Sequence, residues 1–236
     1  MDKEVALEYV RRKKRKKRAA IISGISSIGI AVFLIIAFCL IHVDRFTITT
    51  STSELSLTID ENFAEMQTQL VAPPLLKAAD TQYSDIPEDI EEGLGSKNYN
   101  DGTIAYFAYS FWLRAVSDKP SINYGMSVLL NRHSNDLEQA MKIMIIKNGK
   151  KTVYAPEGHL EIKKGEHGAA EPEEILGYAI PFKDNKHIIY EPQSIVSGDF
   201  DKYTVVMWID GWESDNSMKS GEFQAELKFS TESYNI

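Results

Sequence analysis

Two tryptophans, three carboxylates and an amide lie within nine residues of the sequence, WIDGWESDN, from Trp208 to Asn216. Carboxylate and amide oxygens grouped in one turn are the hard ligands that Ca²⁺ prefers, although their spacing differs from the EF-hand pattern. The candidate calcium ligands are Asp210, Glu213, Asp215 and Asn216. Trp208 and Trp212 indicate a different use, because large rigid aromatics anchor protein partners and can stack on a sugar ring. A third interpretation is structural, with a tryptophan closing the rim of a sheet above a solvated acidic turn.

The remainder of the sequence shows no spacing typical of an active site. It lacks His-Glu-x-x-His, Gly-x-Ser-x-Gly, a phosphate-binding glycine-rich loop and a Cys-x-x-Cys pair. The five histidines are scattered along the chain. We therefore expect a protein that is not an enzyme, without catalytic residues and without a cofactor other than the candidate calcium ion.

The element that must position the tryptophan-rich stretch is a strand. Alternate residues of YTVVMWID are apolar and predict one core-facing side, formed by Tyr203, Val205, Met207 and Ile209. Because successive side chains of a strand point to opposite faces, Trp208 and Asp210 are expected on the other face. There they point outward or lie beneath a covering loop, and Gly211 begins a turn out of the strand.

Period-two alternation recurs through the C-terminal part of the chain. SINYGMSVLL and FQAELKFS each place apolar residues on one face only, LSLTI does so on a shorter scale, and IAYFAYSFWL is more uniformly apolar. Asn148-Gly149 separates two β-rich runs and predicts a type I′ hairpin turn. These segments predict an antiparallel β-sandwich of jelly-roll type, with acidic loops at 63–101 and 156–174.

The N-terminal segment has the pattern of a membrane anchor. The basic residues precede an uncharged run from Ala19 to Ile41, and they are Arg11, Arg12, Lys13, Lys14, Arg15, Lys16, Lys17 and Arg18. A run of this length can cross a bilayer as a helix, and the positive-inside rule leaves the basic block in the cytoplasm. We predict a cytoplasmic tail at 1–18, an uncleaved transmembrane helix at 19–43 and an extracellular domain at 44–236. A cleaved signal peptide is the alternative, but the run is long and LIHVDRF offers no small-residue cleavage pattern.

Charge is divided unevenly along the chain. Residues 1–18 hold nine Lys/Arg against three Asp/Glu, whereas residues 44–236 hold seventeen against thirty-one. A nucleic-acid-binding domain needs a clustered basic face, so the acidic C-terminal part argues against nucleic acid as a partner. The single cysteine, Cys39, excludes an intramolecular disulfide.

The layout of the chain resembles the TasA/camelysin group of surface and biofilm-matrix proteins of Gram-positive bacteria. The resemblance covers residues 19–236 and rests on the apolar span, the early strand TSELSLTID, the aromatic strand AYFAYSFWL and the final GEFQAELKFS. It implies a jelly-roll fold and a role in matrix or fibre assembly. The camelysin branch is classed as metallopeptidases, but the zinc-binding helix motif is missing here, so no catalytic residue is transferred.

These observations predict a plasma-membrane protein with a single span and an extracellular, non-catalytic domain. We expect it to act through contacts with like copies, another protein or a cell-wall glycan, and strand addition at an exposed sheet edge is the simplest mechanism. A glycan- or calcium-binding module centred on 208–216 is the second hypothesis. A metallopeptidase is the third and least favoured.

Overall fold

Alternating sequence patterns become strands in the computed structural model, which describes residues 45–75, 77–166, 169–184 and 186–231. The described part of the chain is mainly β, with 52% of its residues in strands and 5% in helical turns. The strands are β1 (Thr47–Thr50), β2 (Leu55–Thr58), β3 (Gln69–Val71), β4 (Asp80–Thr81), β5 (Gly95–Ser96), β6 (Tyr99–Asn100), β7 (Ala105–Ala115), β8 (Ser121–His133), β9 (Met141–Lys147), β10 (Lys150–Ala155), β11 (Glu161–Lys164), β12 (Glu174–Tyr178), β13 (Ile180–Pro181), β14 (His187–Val196), β15 (Phe200–Asp210) and β16 (Phe223–Ser230). Three 3-10 turns cover Tyr83–Asp85, Leu137–Gln139 and Asn216–Met218.

Two large sheets enclose the main core. The front sheet has the strand order β14-β8-β16-β1-β3, and the back sheet has the order β13-β10-β9-β15-β7-β2, with β4, β5 and β6 paired at its margins. Aromatic rings meet between the sheets, for example Phe229 of β16 with Tyr203 of β15, whose ring centroids are 5.2 Å apart. The alternating apolar residues of β7, β8, β15 and β16 all belong to this core, as their period of two requires.

The back sheet is also covered on its outer face. Ile86 and Ile90, from the segment predicted as an acidic loop at 63–101, are buried there against Tyr106, Met144 and Trp208. Strands β11 and β12 pair with each other as a cover hairpin, and its partly buried Ile162 packs against the same group. We call this group the outer core. The even-numbered residues of β15 therefore face a second apolar layer.

Local turn chemistry agrees with the hairpin predicted at Asn148-Gly149. Both residues have positive φ, 48° and 83°, as a type I′ turn requires. Lys150 consequently pairs with Lys147, and β9 and β10 continue as an antiparallel ladder.

The sheets are mixed, which corrects the predicted antiparallel sandwich. Strand β1 pairs in parallel with β16, β13 with β10, and β4 with β15. Parallel neighbours cannot be joined by a tight turn and need a long connection. Each of these pairs joins strands that are far apart in sequence, most of all the first and last strands, which local periodicity cannot detect.

The structure also corrects the predicted single-pass membrane protein. No helix among the described residues is long and apolar enough to cross a membrane. The described helical turns have three residues each, a rise of about 6 Å, against a hydrocarbon core of about 30 Å. The described structure thus contradicts the transmembrane helix and plasma-membrane location predicted above. The predicted span at 19–43 and basic block at 11–18 themselves lie outside the described residues.

Candidate functional site

Trp208 occupies the outer core rather than an exposed surface. Only 2% of the residue is accessible, and its ring lies 6.3 Å from that of Tyr83 between centroids. Its cross-strand neighbour on β9 is Lys142. The indole Nε1 is buried without a hydrogen-bond partner among the described atoms. A partner can therefore reach Trp208 only if the covering segments move.

Asp210, on the same face of β15, forms a buried ion pair with Lys142. The two side chains are 4% and 1% exposed, and Nζ lies 2.5 Å from Oδ2. The other carboxylate oxygen, Oδ1, accepts the backbone N–H of Trp212 at 2.9 Å. The Lys142 ammonium also donates to the carbonyl oxygen of Glu161 on the cover hairpin at 2.5 Å. We call Lys142 and Asp210 the closed pair.

Glu213, in the turn after β15, contacts one residue before the cover hairpin and one residue within it. Its Oε1 lies 2.7 Å from Lys163 Nζ and its Oε2 lies 2.5 Å from His159 Nδ1. Burial raises the pKa of Glu213, but hydrogen bonds and charge from Lys163 and His159 outweigh this and leave the pKa below its usual value. The carboxylate is therefore held as an anion by two neighbours.

Trp212, Asp215 and Asn216 have separate surroundings. Trp212 is partly buried against Gly165, where an added Cβ would lie 2.8 Å from the ring atom Cζ2. Asp215 precedes the last 3-10 turn, in which Asn216 is the first residue, and its Oδ1 accepts the backbone N–H of Ser217 at 2.7 Å. Side-chain and backbone hydrogen bonds from Ser217 lower the pKa of Asp215.

The three proposed carboxylate ligands therefore have individual partners instead of a common centre. Two of the carboxylates, Asp210 and Glu213, are each neutralised by a lysine. In the part of the chain that the structure describes, no three His, Cys, Asp or Glu residues are grouped so that they could hold a metal ion. The calcium site stays a prediction, and the arrangement of the described residues gives it no support.

A second Lys–Asp pair, absent from the sequence-based candidates, joins the opposite ends of β9 and β15. Lys147 Nζ lies 2.9 Å from Asp201 Oδ2, with side chains 23% and 11% exposed. Asp201 also accepts hydrogen bonds from Asn148 at 2.7 Å and from the Tyr124 hydroxyl at 3.1 Å. Burial raises the pKa of Tyr124 and of its neighbour Tyr203, so both hydroxyls stay protonated donors. We call Lys147 and Asp201 the open pair.

The open pair borders a groove of about 690 Å³ between the ends of β8, β9 and β14. Lys147 also donates to Gln193 Oε1 at 2.9 Å, and its ammonium lies over the ring of Tyr124, 5.6 Å from the centroid. The only sequence signal near this cluster is the Asn148-Gly149 turn. The sequence predicts Tyr124 and Tyr203 as core residues, because each belongs to the apolar face of an alternating strand.

Comparison with known proteins supplies no relative for this chain. No protein-family model and no curated protein matches it. The resemblance to the TasA/camelysin group therefore stays a prediction.

Proposed function

We propose that this chain is a non-catalytic protein that acts through protein contacts and pairs with a second copy of itself by strand addition at β12. Strand addition gives affinity through main-chain hydrogen bonds and specificity through alternate side chains. The observation that supports the proposal is the exposure of three apolar residues on this strand. Ile175, Leu176 and Tyr178 are 47%, 46% and 71% accessible.

The edges of the two large sheets carry features that discourage such pairing. Strand β13 ends in Pro181, β14 contains Pro192, and β3 has only three residues and is soon followed by Pro73. Strand β2 has four residues, and the backbone of Leu57 is already bonded to that of Gln67 on its outer side. Proline removes a donor from the edge, and very short edge strands offer little to pair with. Strand β12 contains neither proline nor lysine, so it is less protected against strand addition than these edges.

Only one side of β12 is occupied among the described strands. It pairs with β11, and the far side of β11 is approached by the turn at 82–85, where Gln82 and Ser84 donate to the carbonyl oxygens of Glu166 and Gly165. The hairpin is therefore held against the domain through β11. The other edge of β12 faces away from that attachment.

A second copy suits this edge because of where the charges lie. The chain leading into β12 is acidic, with Glu171 and Glu173 before the strand and Glu174 as its first residue. An antiparallel pair of β12 strands, related by two-fold symmetry, separates the two acidic ends. A parallel arrangement would set like charges side by side, which is destabilising.

The size of the contact predicts weak, reversible pairing. Strand β12 has five residues, fewer than the roughly 20–30 residues per side of a stable interface. An isologous contact closes on itself, so it forms pairs, and a fibre needs an additional contact. We therefore expect the fraction of paired molecules to rise with protein concentration.

Sedimentation velocity of the purified full-length chain over a range of concentrations tests the proposal. Leu176→Lys and Tyr178→Lys each add a charge at an exposed position of β12, and each variant should shift the population toward the smaller species. Val196→Lys is the matched control, because Val196 is similarly exposed, at 57%, but lies at the end of β14. Residues 19–41 are apolar and contribute to association in every variant alike. The test therefore compares the size distributions of the variants with that of the wild type, and does not depend on the absolute size of the particles.

Identical size distributions for wild type and both β12 variants would contradict pairing through β12. An equal effect of Val196→Lys would show that added charge acts generally. Circular dichroism of each variant verifies that the β-structure is retained.

A further inference from the structure

The closed pair brings a primary amine and a carboxyl group together in a site from which solvent is almost excluded. Lys142 and Asp210 are 1% and 4% exposed at their side chains, and Nζ is 2.5 Å from Oδ2. The two residues lie on the same face of neighbouring strands, at diagonal positions, since Lys142 is paired with Trp208. Diagonal neighbours are within reach of long side chains.

One further hydrogen bond fixes each group of the closed pair in place. The Trp212 N–H donates to Oδ1 at 2.9 Å, which withdraws electron density from the carboxyl carbon, as donors of an oxyanion hole do. Lys142 Nζ is fixed from the other side by the carbonyl oxygen of Glu161 at 2.5 Å. The remaining carboxyl oxygen, Oδ2, lies next to the lysine that carries the protons.

We propose that Lys142 and Asp210 condense to an intramolecular amide that cross-links β9 to the end of β15. The Nζ–Cγ bond forms and the Cγ–Oδ2 bond breaks. One proton first passes from Nζ to Oδ2, which frees the nitrogen lone pair for attack. A second proton leaves the nitrogen as the Cγ–Oδ2 bond breaks, so that Oδ2 departs as water and one proton stays on the amide nitrogen. The ammonium and carboxylate together contain all the atoms of the products, so no oxidant, reductant or further reactant is needed.

Burial and proximity favour this condensation over the same reaction in water. Effective concentrations reach roughly 10⁵–10⁸ M in well-oriented intramolecular reactions, and the closed pair is held at contact distance. Two charges removed from solvent are costly to maintain even when paired, whereas the amide carries no charge. The outer core and cover hairpin also exclude the water that would reverse the reaction.

Mass spectrometry of the purified full-length chain tests the cross-link under denaturing conditions. The wild-type chain should be lighter than its sequence by one water molecule. Trypsin should fail to cleave after Lys142, and fragmentation should identify a branched peptide that joins residues from β9 and β15. A chain of full mass that is cleaved after Lys142 would overturn the proposal.

The variant Lys142→Met distinguishes the cross-link from a second reaction, cyclisation of Asp210, that also releases one water molecule. Asp210 precedes Gly211, so cyclisation of the aspartate onto the next backbone nitrogen would give the same loss of mass. Lys142→Met removes the amine and should restore full mass if the amide is the cause. A mass deficit that persists in Lys142→Met, or a linked peptide that lacks Asp210, would also overturn the proposal.

Discussion

The closed pair and the open pair join the same two strands with the same two residue types, but their surroundings differ. Lys142 and Asp210 lie on the outer face of the back sheet, beneath the cover hairpin, with main-chain partners from Trp212 and Glu161. Lys147 lies toward the groove at the other end of β9, in contact with the Tyr124 hydroxyl and the Gln193 amide. Distant parts of the chain cover the closed pair, whereas Lys147 of the open pair lines a polar groove.

This difference predicts that the stability contributed by a Lys–Asp pair depends on its surroundings. Lys147 and Asp201 each have further hydrogen-bond partners, so the loss of one residue leaves the other partly satisfied. Where water is excluded, each charge depends on the other, and removing one partner leaves the second uncompensated. We therefore expect the same substitution to have unequal effects at the two ends of β9.

Substitution of the two lysines by methionine is expected to give the largest contrast. Lys142→Met keeps the length of the side chain but leaves the Asp210 carboxylate buried without a partner, so the free energy of unfolding should fall by about 3–5 kcal/mol relative to the chain in which the two residues form an ion pair. Lys147→Met leaves Asp201 with its bonds to Tyr124 and Asn148, so the loss should be only about 1–2 kcal/mol. Urea unfolding followed by tryptophan fluorescence measures both. Equal losses would show that the cover does not distinguish the two pairs.

Two glycines of the cover hairpin provide a smaller test of what seals the closed pair. A methyl group at Gly165 would lie 2.8 Å from the Trp212 ring, whereas one at Gly177 would meet nothing within 4 Å. Gly165→Ala should therefore force the hairpin away from the sheet and lower the unfolding free energy by about 1–3 kcal/mol. Gly177→Ala should change it by less than about 0.5 kcal/mol.

Limited proteolysis distinguishes a lifted hairpin from general destabilisation in these glycine variants. Cleavage within residues 156–182 should accelerate in Gly165→Ala and not in Gly177→Ala. Matching cleavage rates would mean that Trp212 adjusts to the added methyl group without moving the hairpin.

The features that the sequence predicts are those that depend on neighbouring residues. The alternation in β8 and β16 and the positive φ values at Asn148-Gly149 are local properties, and they were predictable. Lys142 lies in the apolar run MKIMIIK, and its even position predicts a solvent-facing lysine. Its burial follows from the cover supplied by residues 79–104 and 156–178, far away in the chain. The parallel pairing of β1 with β16 was missed for the same reason.

Acidification is expected to give the smallest effect and to act only near the closed pair. The pKa of Glu213 is lowered from its ordinary value of 4.5, because Lys163 and His159 outweigh the effect of burial. A carboxylate with a depressed pKa in the folded state stabilises that state at higher pH, and this contribution is lost as pH falls below 4.5 through the folded-state pKa. Glu213→Gln should therefore flatten the decline in the free energy of unfolding below pH 4.5, by at most about 1 kcal/mol.

Glu222→Gln is the control for acidification, since Glu222 forms an exposed ion pair with Arg132 on the other sheet. Its acid profile should follow that of the wild type. If the Glu213→Gln profile also follows the wild type, the network of Glu213 with Lys163 and His159 does not hold the cover hairpin in place. The seal over the closed pair would then depend on the apolar contacts of the hairpin and on the Glu161 carbonyl.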